Sequence, residues 1–169
     1  MKKILLSTTM FLALTATANA QDVSVSTSID YVSDYVFRGV SLADSAIQSG
    51  VEASLGAFTA GAWFSTGVGD TSIAAGDEID LYASYSFTLS DLVSTDLGIT
   101  YYHYPQGGSL FETDGGGAGT YEIYTSFGFD LPLSPSASAY YDLTLKAFTL
   151  EGGVSHSITT SDKTNFDLS

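Results

Sequence analysis

Residues 31–42 read Tyr31-Val32-Ser33-Asp34-Tyr35-Val36-Phe37-Arg38-Gly39-Val40-Ser41-Leu42 and close a run of alternating apolar and polar residues that begins at Val23. Alternation with a period of two is typical of a β-strand whose two faces meet different surroundings. The pattern predicts a first strand over 23–37, with its apolar face marked by tyrosine and phenylalanine and its polar face by aspartate and arginine. A glycine follows the arginine, so we expect the strand to turn there.

The same two-faced pattern recurs along the chain and predicts an all-β fold. Tyrosine and phenylalanine, which favour strands, number 11 and 10. Seven more strands and the start of a ninth are expected over 47–55, 58–65, 78–87, 96–103, 121–130, 136–141, 146–158 and 164–169. The predicted connections alternate between long ones at 39–45, 67–76 and 105–119 and short ones at 56–57, 88–93 and 131–135.

Alternation alone leaves open whether the apolar face packs against a second sheet or meets lipid. A soluble sandwich hides that face, whereas a membrane barrel turns it outwards and has long outer loops and short periplasmic turns. The apolar face of the first six strands carries no charged residue, and the alternating connection lengths fit the barrel. Aromatic residues gather near strand ends, as membrane-interface girdles do: Tyr35, Phe37, Tyr85, Phe87, Tyr101, Phe127 and Phe129. We therefore expect an antiparallel up-and-down transmembrane β-barrel.

The N-terminus predicts a secretory signal peptide over residues 1–20. Lys2 and Lys3 precede an apolar stretch, and Ala18-Asn19-Ala20 fits the small-residue cleavage pattern. The barrel domain is then expected over 21–169, located in the outer membrane with lipid as its partner. Single-chain bacterial barrels have an even number of strands, so eight strands and part of a ninth predict a chain truncated at its C-terminus.

The charge of the chain is strongly negative. Its formal net charge is −14, and without the two signal lysines it becomes 3 − 19 = −16. Such a chain cannot neutralise phosphates, which excludes nucleic acid as a partner. The charge suits a cationic partner or a water-filled acidic lumen.

Five segments together resemble one known family. They are Tyr31 to Ser41 followed by Asp44 and Gly50, Ala60-Gly61-Ala62-Trp63, Glu78-Ile79-Asp80-Leu81-Tyr82, Tyr101-Tyr102-His103-Tyr104-Pro105 and Tyr121-Glu122-Ile123-Tyr124. In this order, over about Val23 to Asp130, they resemble the TorF family, a group of proteobacterial outer-membrane proteins described as porins. The resemblance implies an outer-membrane barrel with porin activity. Family members continue for several more strands beyond the point where this sequence ends.

The charged residues of the polar face are the candidate pore lining. They occupy the alternate strand positions that face away from lipid, which we call the polar parity, the other set being the apolar parity. These residues are Asp30, Asp34, Arg38, Glu52, Glu78, Asp80, Asp96, Glu122, Asp130 and Glu151. An open lumen lined by these acids should prefer cations. Arg38 has two interpretations, either a cation that binds an anion at a constriction or a salt bridge that fixes the turn. We favour the salt bridge, since a partly buried charge needs a partner.

Enzymatic and metal sites are not expected. His103 and His156 lie on the apolar parity, and the neighbouring Ser155 points to the opposite face of its strand, the wrong geometry for a nucleophile and its base. The chain has no cysteine and no clustered histidine that would suit a metal, and no cofactor is implied.

These observations predict a porin-like barrel for the passive diffusion of small hydrophilic solutes, with a preference for cations. The alternative is a small structural or adhesive barrel whose lumen is filled with side chains. The sequence carries no indication of the oligomeric state.

Overall fold

The computed structural model describes residues 8–14, 23–68, 77–113, 119–161 and 164–168. These residues form thirteen strands and one short 3-10 turn at Pro105–Gly107. The strands are β1 (Thr8–Leu14), β2 (Val23–Val32), β3 (Tyr35–Phe37), β4 (Val40–Ala43), β5 (Ala46–Leu55), β6 (Phe58–Gly67), β7 (Glu78–Ser90), β8 (Val93–His103), β9 (Gly119–Phe129), β10 (Ser136–Asp142), β11 (Ala147–Gly153), β12 (His156–Ser161) and β13 (Thr164–Leu168). None of the described residues belongs to a helix long and apolar enough to cross a membrane.

Nine strands form one antiparallel sheet in the order β1-β2-β5-β6-β7-β8-β9-β10-β11. From β2 onwards, each strand of this sheet pairs with the next one in the chain, interrupted only by a small β3–β4 hairpin. The predicted all-β, antiparallel class is therefore confirmed. In the described residues β1 and β11 are the two edges of the sheet and do not pair, so the closed transmembrane barrel stays a prediction.

Strand β1 lies inside the predicted signal peptide and pairs with β2 along its whole length. The predicted cleavage site at 18–20 lies outside the described residues, as do residues 69–76 of the predicted loop 67–76, residues 114–118 of the predicted loop 105–119, and the final Ser169. Removal of residues 1–20 stays a prediction.

The first strand ends earlier than its alternation predicted. Strand β2 stops at Val32, and a bend at Ser33 and Asp34 separates it from β3. Chain direction then reverses at Arg38 and Gly39, whose φ angles are +49° and +81°. Two consecutive positive φ angles are typical of the two-residue turn that matches the twist of a β-hairpin. Residues 35–43 are therefore a separate hairpin and not the end of a wall strand.

The predicted eighth strand is also divided. It consists of β11 and β12, which are separated at Val154 and Ser155. Strand β12 pairs with β13 in a two-stranded sheet of its own. The alternation continues across both breaks, so periodicity alone does not reveal them.

The two faces of the large sheet have opposite surroundings. The apolar face is open, with large side chains 39–70% exposed on successive strands, among them Ile29, Val51, Phe58, Tyr85, Leu97, Ile123 and Leu150. Among the described residues no large side chain is completely buried, and the buried polar or charged residues outnumber the buried apolar ones. Glu78 and Glu122, at 2% and 3% exposure, lie on the polar face. The large sheet thus buries carboxylates and exposes large apolar side chains, the reverse of what is usual in a soluble domain.

Candidate functional site

The β3–β4 hairpin lies on the polar face of the sheet. Its side chains contact six successive strands, from Trp63 on β6 to Glu151 on β11. At its base the Ser41 hydroxyl donates to Asp34 Oδ1 at 2.8 Å, and Ala43 and Ala46 are buried where the hairpin joins β5. The bend at residues 33 and 34 separates the hairpin from β2, and these contacts hold it against the polar face of the sheet.

Arg38 fastens the tip of the hairpin to the sheet. Its Nη1 and Nη2 donate to the two oxygens of Glu122 at 2.7 and 2.8 Å, and its Nε donates to Glu151 Oε1 at 2.9 Å. The guanidinium carbon also lies 4.2 Å from the ring centroid of Tyr140. Two-pronged pairing is the strongest geometry between arginine and a carboxylate, and the hydrogen bonds to Glu122 raise the pKa of Arg38 further. The arrangement is that of a salt bridge.

Glu122 is almost completely enclosed by this network. Its side chain is 3% exposed, and the Tyr102 hydroxyl donates to Oε1 at 2.9 Å. The Glu151 side chain is 44% exposed and hence more weakly held. Removing Arg38 would leave a buried carboxylate with one phenol donor, so Glu122 is the partner on which the position of the hairpin tip depends.

Glu78 forms a second contact between the hairpin and the sheet. It is 2% exposed and accepts hydrogen bonds from the Tyr35 hydroxyl at 2.8 Å and the Tyr104 hydroxyl at 3.0 Å. Burial, followed by the charge of Glu78, raises the pKa of both phenols. Both tyrosines therefore stay protonated at neutral pH and act as donors.

Tyr35 and Phe37 were predicted to lie in an outward girdle, and that prediction is wrong. The Tyr35 ring lies 5.7 Å from Trp63, and the Phe37 ring lies 5.9 Å from Tyr102, both on the polar face. The prediction extended the alternation of β2 through the bend, but the hairpin leaves the large sheet and its aromatic side chains point towards the polar face of that sheet.

The other candidate lining residues differ in their hydrogen bonds and their exposure. Glu52 accepts from Tyr82, and Asp96 accepts a short hydrogen bond from Ser86. One oxygen each of Asp30 and Asp80 is buried without a hydrogen-bond partner. Asp130 is exposed beyond the end of β9, where its amide bonds to the Leu92 carbonyl, so it lies at a turn rather than between the wall strands.

Aromatic rings on the polar face lie over glycines of neighbouring strands. A Cβ added at Gly61 would come within 2.5 Å of the Tyr82 hydroxyl, and one added at Gly98 would collide with the Tyr124 ring. In both cases the glycine and the aromatic residue are direct cross-strand partners, whereas a Cβ added at Gly50 would lie at an ordinary 3.8 Å from its partner Trp63. Gly61 and Gly98 thus leave the space that the Tyr82 and Tyr124 rings occupy.

Sequence reasoning missed the aromatic members of the site. The polar face also carries Trp63, Tyr82, Tyr102 and Tyr140, whereas the predicted pore lining consisted of charged residues alone. A large aromatic residue in a row of serine, threonine and glycine was the available signal, because such a side chain needs something to pack against.

His103 belongs to an aromatic cluster on the other face. It is 4% exposed and stacks on Tyr101, with ring centroids 6.0 Å apart. The loop after β8 folds back over this pair, and the Phe111 amide donates to the Tyr101 hydroxyl at 2.7 Å. His156 starts β12 and is exposed. In the part of the chain that the structure describes, no group of three or more His, Cys, Asp or Glu residues could hold a metal ion.

Comparison with known proteins identifies a family. The sequence model of the family Gcw_chp, described as a bacterial protein of unknown function, matches residues 16–166. No curated protein and no solved structure matches the chain. Because the family match spans most of the chain, the protein belongs to the Gcw_chp family.

Proposed function

We propose that the chain forms a porin-like β-barrel in the bacterial outer membrane, through which small hydrophilic solutes diffuse passively with a preference for cations. The observation that carries the proposal is the open apolar face of the sheet. Soluble monomers rarely expose continuous apolar patches above a few hundred Å². Here exposed side chains such as Val51, Phe58 and Leu97 follow one another across adjacent strands. Lipid is the surrounding that makes this face favourable.

Closure of the sheet is part of the proposal. In lipid each unpaired backbone group at a strand edge costs several kcal/mol, so only closed sheets span a membrane. The meander from β2 to β11 has the topology that such a barrel requires, and the resemblance to the TorF family supports the same architecture. The predicted signal peptide supplies the route across the inner membrane.

Cation preference is inferred from the charges on the polar face. In the described part of the chain, Arg38 is the cation that forms ion pairs on the polar face, and its partners are Glu122 and Glu151. Glu52, Asp96 and other carboxylates of that face have no cationic partner among these ion pairs. A water-filled lumen with this surplus should concentrate cations and repel anions.

The proposal is tested with the purified protein in planar bilayers. We expect discrete conductance steps, and in a salt gradient a reversal potential with the sign of cation selectivity. An anion-selective reversal potential would contradict the charge argument. Recovery of the protein in the soluble periplasmic fraction, and not in the outer membrane, would refute the membrane assignment itself.

A barrel with a filled lumen is the second candidate, because the β3–β4 hairpin covers part of the polar face. The hairpin and the rings of Trp63, Tyr82 and Tyr102 occupy space that a pore would leave open. Conductance distinguishes the two candidates. If the wild type inserts into the bilayer and stays silent while Arg38→Ala conducts, the hairpin is a plug and the second candidate is correct.

A further inference from the structure

A cavity of about 360 Å³ lies between the β3–β4 hairpin and the sheet. Its volume is at the lower end of the range for small-molecule sites, roughly 300–1,000 Å³. Five of its seven lining residues are aromatic: the cavity is bounded by Tyr35, Phe37, Trp63, Asp80, Tyr82, Thr100 and Tyr102. We call these seven residues the aromatic pocket.

The phenol hydroxyls of the aromatic pocket are already engaged. Each donates to a carboxylate that does not line the cavity. Tyr35 donates to Glu78, Tyr82 to Glu52 and Tyr102 to Glu122, at 2.8 to 2.9 Å. Apart from Asp80 and Thr100, the pocket therefore presents ring surfaces. Such surfaces are electron-rich and attract cations, above all when water is partly excluded.

Asp80 is the acidic group of the aromatic pocket. Its Oδ1 is buried and has no hydrogen-bond partner. The single arginine of the sequence, Arg38, donates to Glu122 and Glu151 instead. A buried carboxylate without a partner is costly, and a bound cation would remove that cost.

One ring of the aromatic pocket, that of Phe37, already contacts a cation. The guanidinium carbon of Arg38 lies 4.7 Å from the Phe37 ring centroid. An anion is disfavoured here, because the chain carries a net charge of −14. A sugar is less favoured than a cation, because the three phenols already donate their protons to carboxylates and could only accept hydrogen bonds from its hydroxyls.

We propose that the aromatic pocket binds a small organic cation with an ammonium head group, held against the ring faces and beside the Asp80 carboxylate. The pocket is formed by the hairpin and the polar face of the sheet, whether or not that sheet closes into a pore. Binding and conduction can therefore fail independently of each other.

Trp63 makes the pocket directly observable, since it is the only tryptophan in the chain. The purified full-length protein in detergent micelles is titrated with choline at pH 8.5, which favours ionised carboxylates, while Trp63 fluorescence is recorded. The neutral control is 3,3-dimethylbutan-1-ol, which has nearly the same shape without the charge. We expect a saturable change with choline and an affinity for the alcohol at least about tenfold weaker.

Two matched variants locate the charge that matters. Asp80→Asn should weaken choline binding about tenfold. Asp30→Asn removes another carboxylate with a buried, unpartnered oxygen, but on β2 and outside the pocket, and should bind choline as the wild type does. Unchanged circular dichroism establishes that each variant is folded, and the comparison of choline with the alcohol in the wild type needs no variant.

Three results would overturn the proposal. They are equal affinity for choline and the neutral alcohol, unchanged choline binding in Asp80→Asn, and no saturable response to choline, tetramethylammonium or a primary alkylamine. A saturable response to glucose in the absence of any response to these cations would assign the aromatic pocket to sugars instead.

Discussion

Replacing Arg38 with alanine should detach the hairpin tip from the sheet and destabilise the protein. The variant leaves Glu122, whose side chain is 3% exposed, with Tyr102 as its one remaining hydrogen-bond donor among those described. Breaking a buried ion pair by removing one partner costs about 3–5 kcal/mol. The Arg38 side chain is 20% exposed, so solvent screens part of the interaction, and we expect a loss of about 2–3 kcal/mol.

Three control variants separate this effect from a general loss of charge. Glu151→Gln removes the more exposed partner and should cost less than about 1 kcal/mol. Lys146→Met removes an exposed cation at a turn and should be nearly neutral. The double variant Arg38→Met/Glu122→Gln leaves no buried charge unpaired, so it should be more stable than the sum of its single changes predicts.

The assay is denaturant unfolding of the micelle-bound protein, followed by the fluorescence of Trp63, which contacts Tyr35 on the hairpin. Limited proteolysis should also cut Arg38→Ala within residues 35–43 earlier than it cuts the wild type. The reasoning is refuted if Arg38→Ala costs no more than Glu151→Gln, or if the two changes in the double variant are simply additive.

Three further predictions concern the wall, the phenols and the apolar face. Gly98→Val should force the Tyr124 ring away and cost about 1–3 kcal/mol in the same unfolding assay, whereas Gly152→Val, where the nearest heavy atom to an added Cβ is 3.7 Å away, should cost far less. Because the folded state raises the pKa of Tyr35 and Tyr104, the unfolded chain loses these protons first, so stability should fall as the pH rises above about 10. Tyr35→Phe should make that fall shallower, and an unchanged slope would contradict the burial of this phenol. Ile99→Arg on the apolar face should make the free energy of insertion into lipid vesicles about 2–4 kcal/mol less favourable. Its control, Ser24→Arg on the polar parity of β2, should insert nearly as the wild type does. Equal effects of the two changes would argue against lipid contact.

The strands of the large sheet were predictable because a two-faced strand requires a local alternation of apolar and polar residues. Residues 47–55 and 58–65 alternate at all but one position each, Ser49 and Trp63, and correspond to β5 and β6 within two residues at either end. The apolar parity of these strands is the exposed one, as the absence of charge from it predicted. A period of two needs only neighbouring residues to be specified, so it is readable without knowledge of the fold.

The candidate site was predictable only in part. The predicted pore lining, which stays a prediction, included Arg38, Glu122 and Glu151, and the structure joins these three in one ion-pair network. It also included Asp130, which lies at an exposed turn. It left out the aromatic residues that surround the charges. Parity states which face of a strand a residue occupies, not how far along the strand it lies or which side chain covers it.

By itself, the sequence determined the two-faced strands, their order and the separation of charge from the apolar face. Only the tertiary structure decided that residues 35–43 leave the wall as a hairpin and lie on the polar face. Arg38 is 84 residues from Glu122 and 113 residues from Glu151, and no local pattern encodes such pairings. The alternation is the same on both sides of the bend at residues 33 and 34. The difference lies in the contacts that each side makes after folding, because long-range packing selects the position of the hairpin.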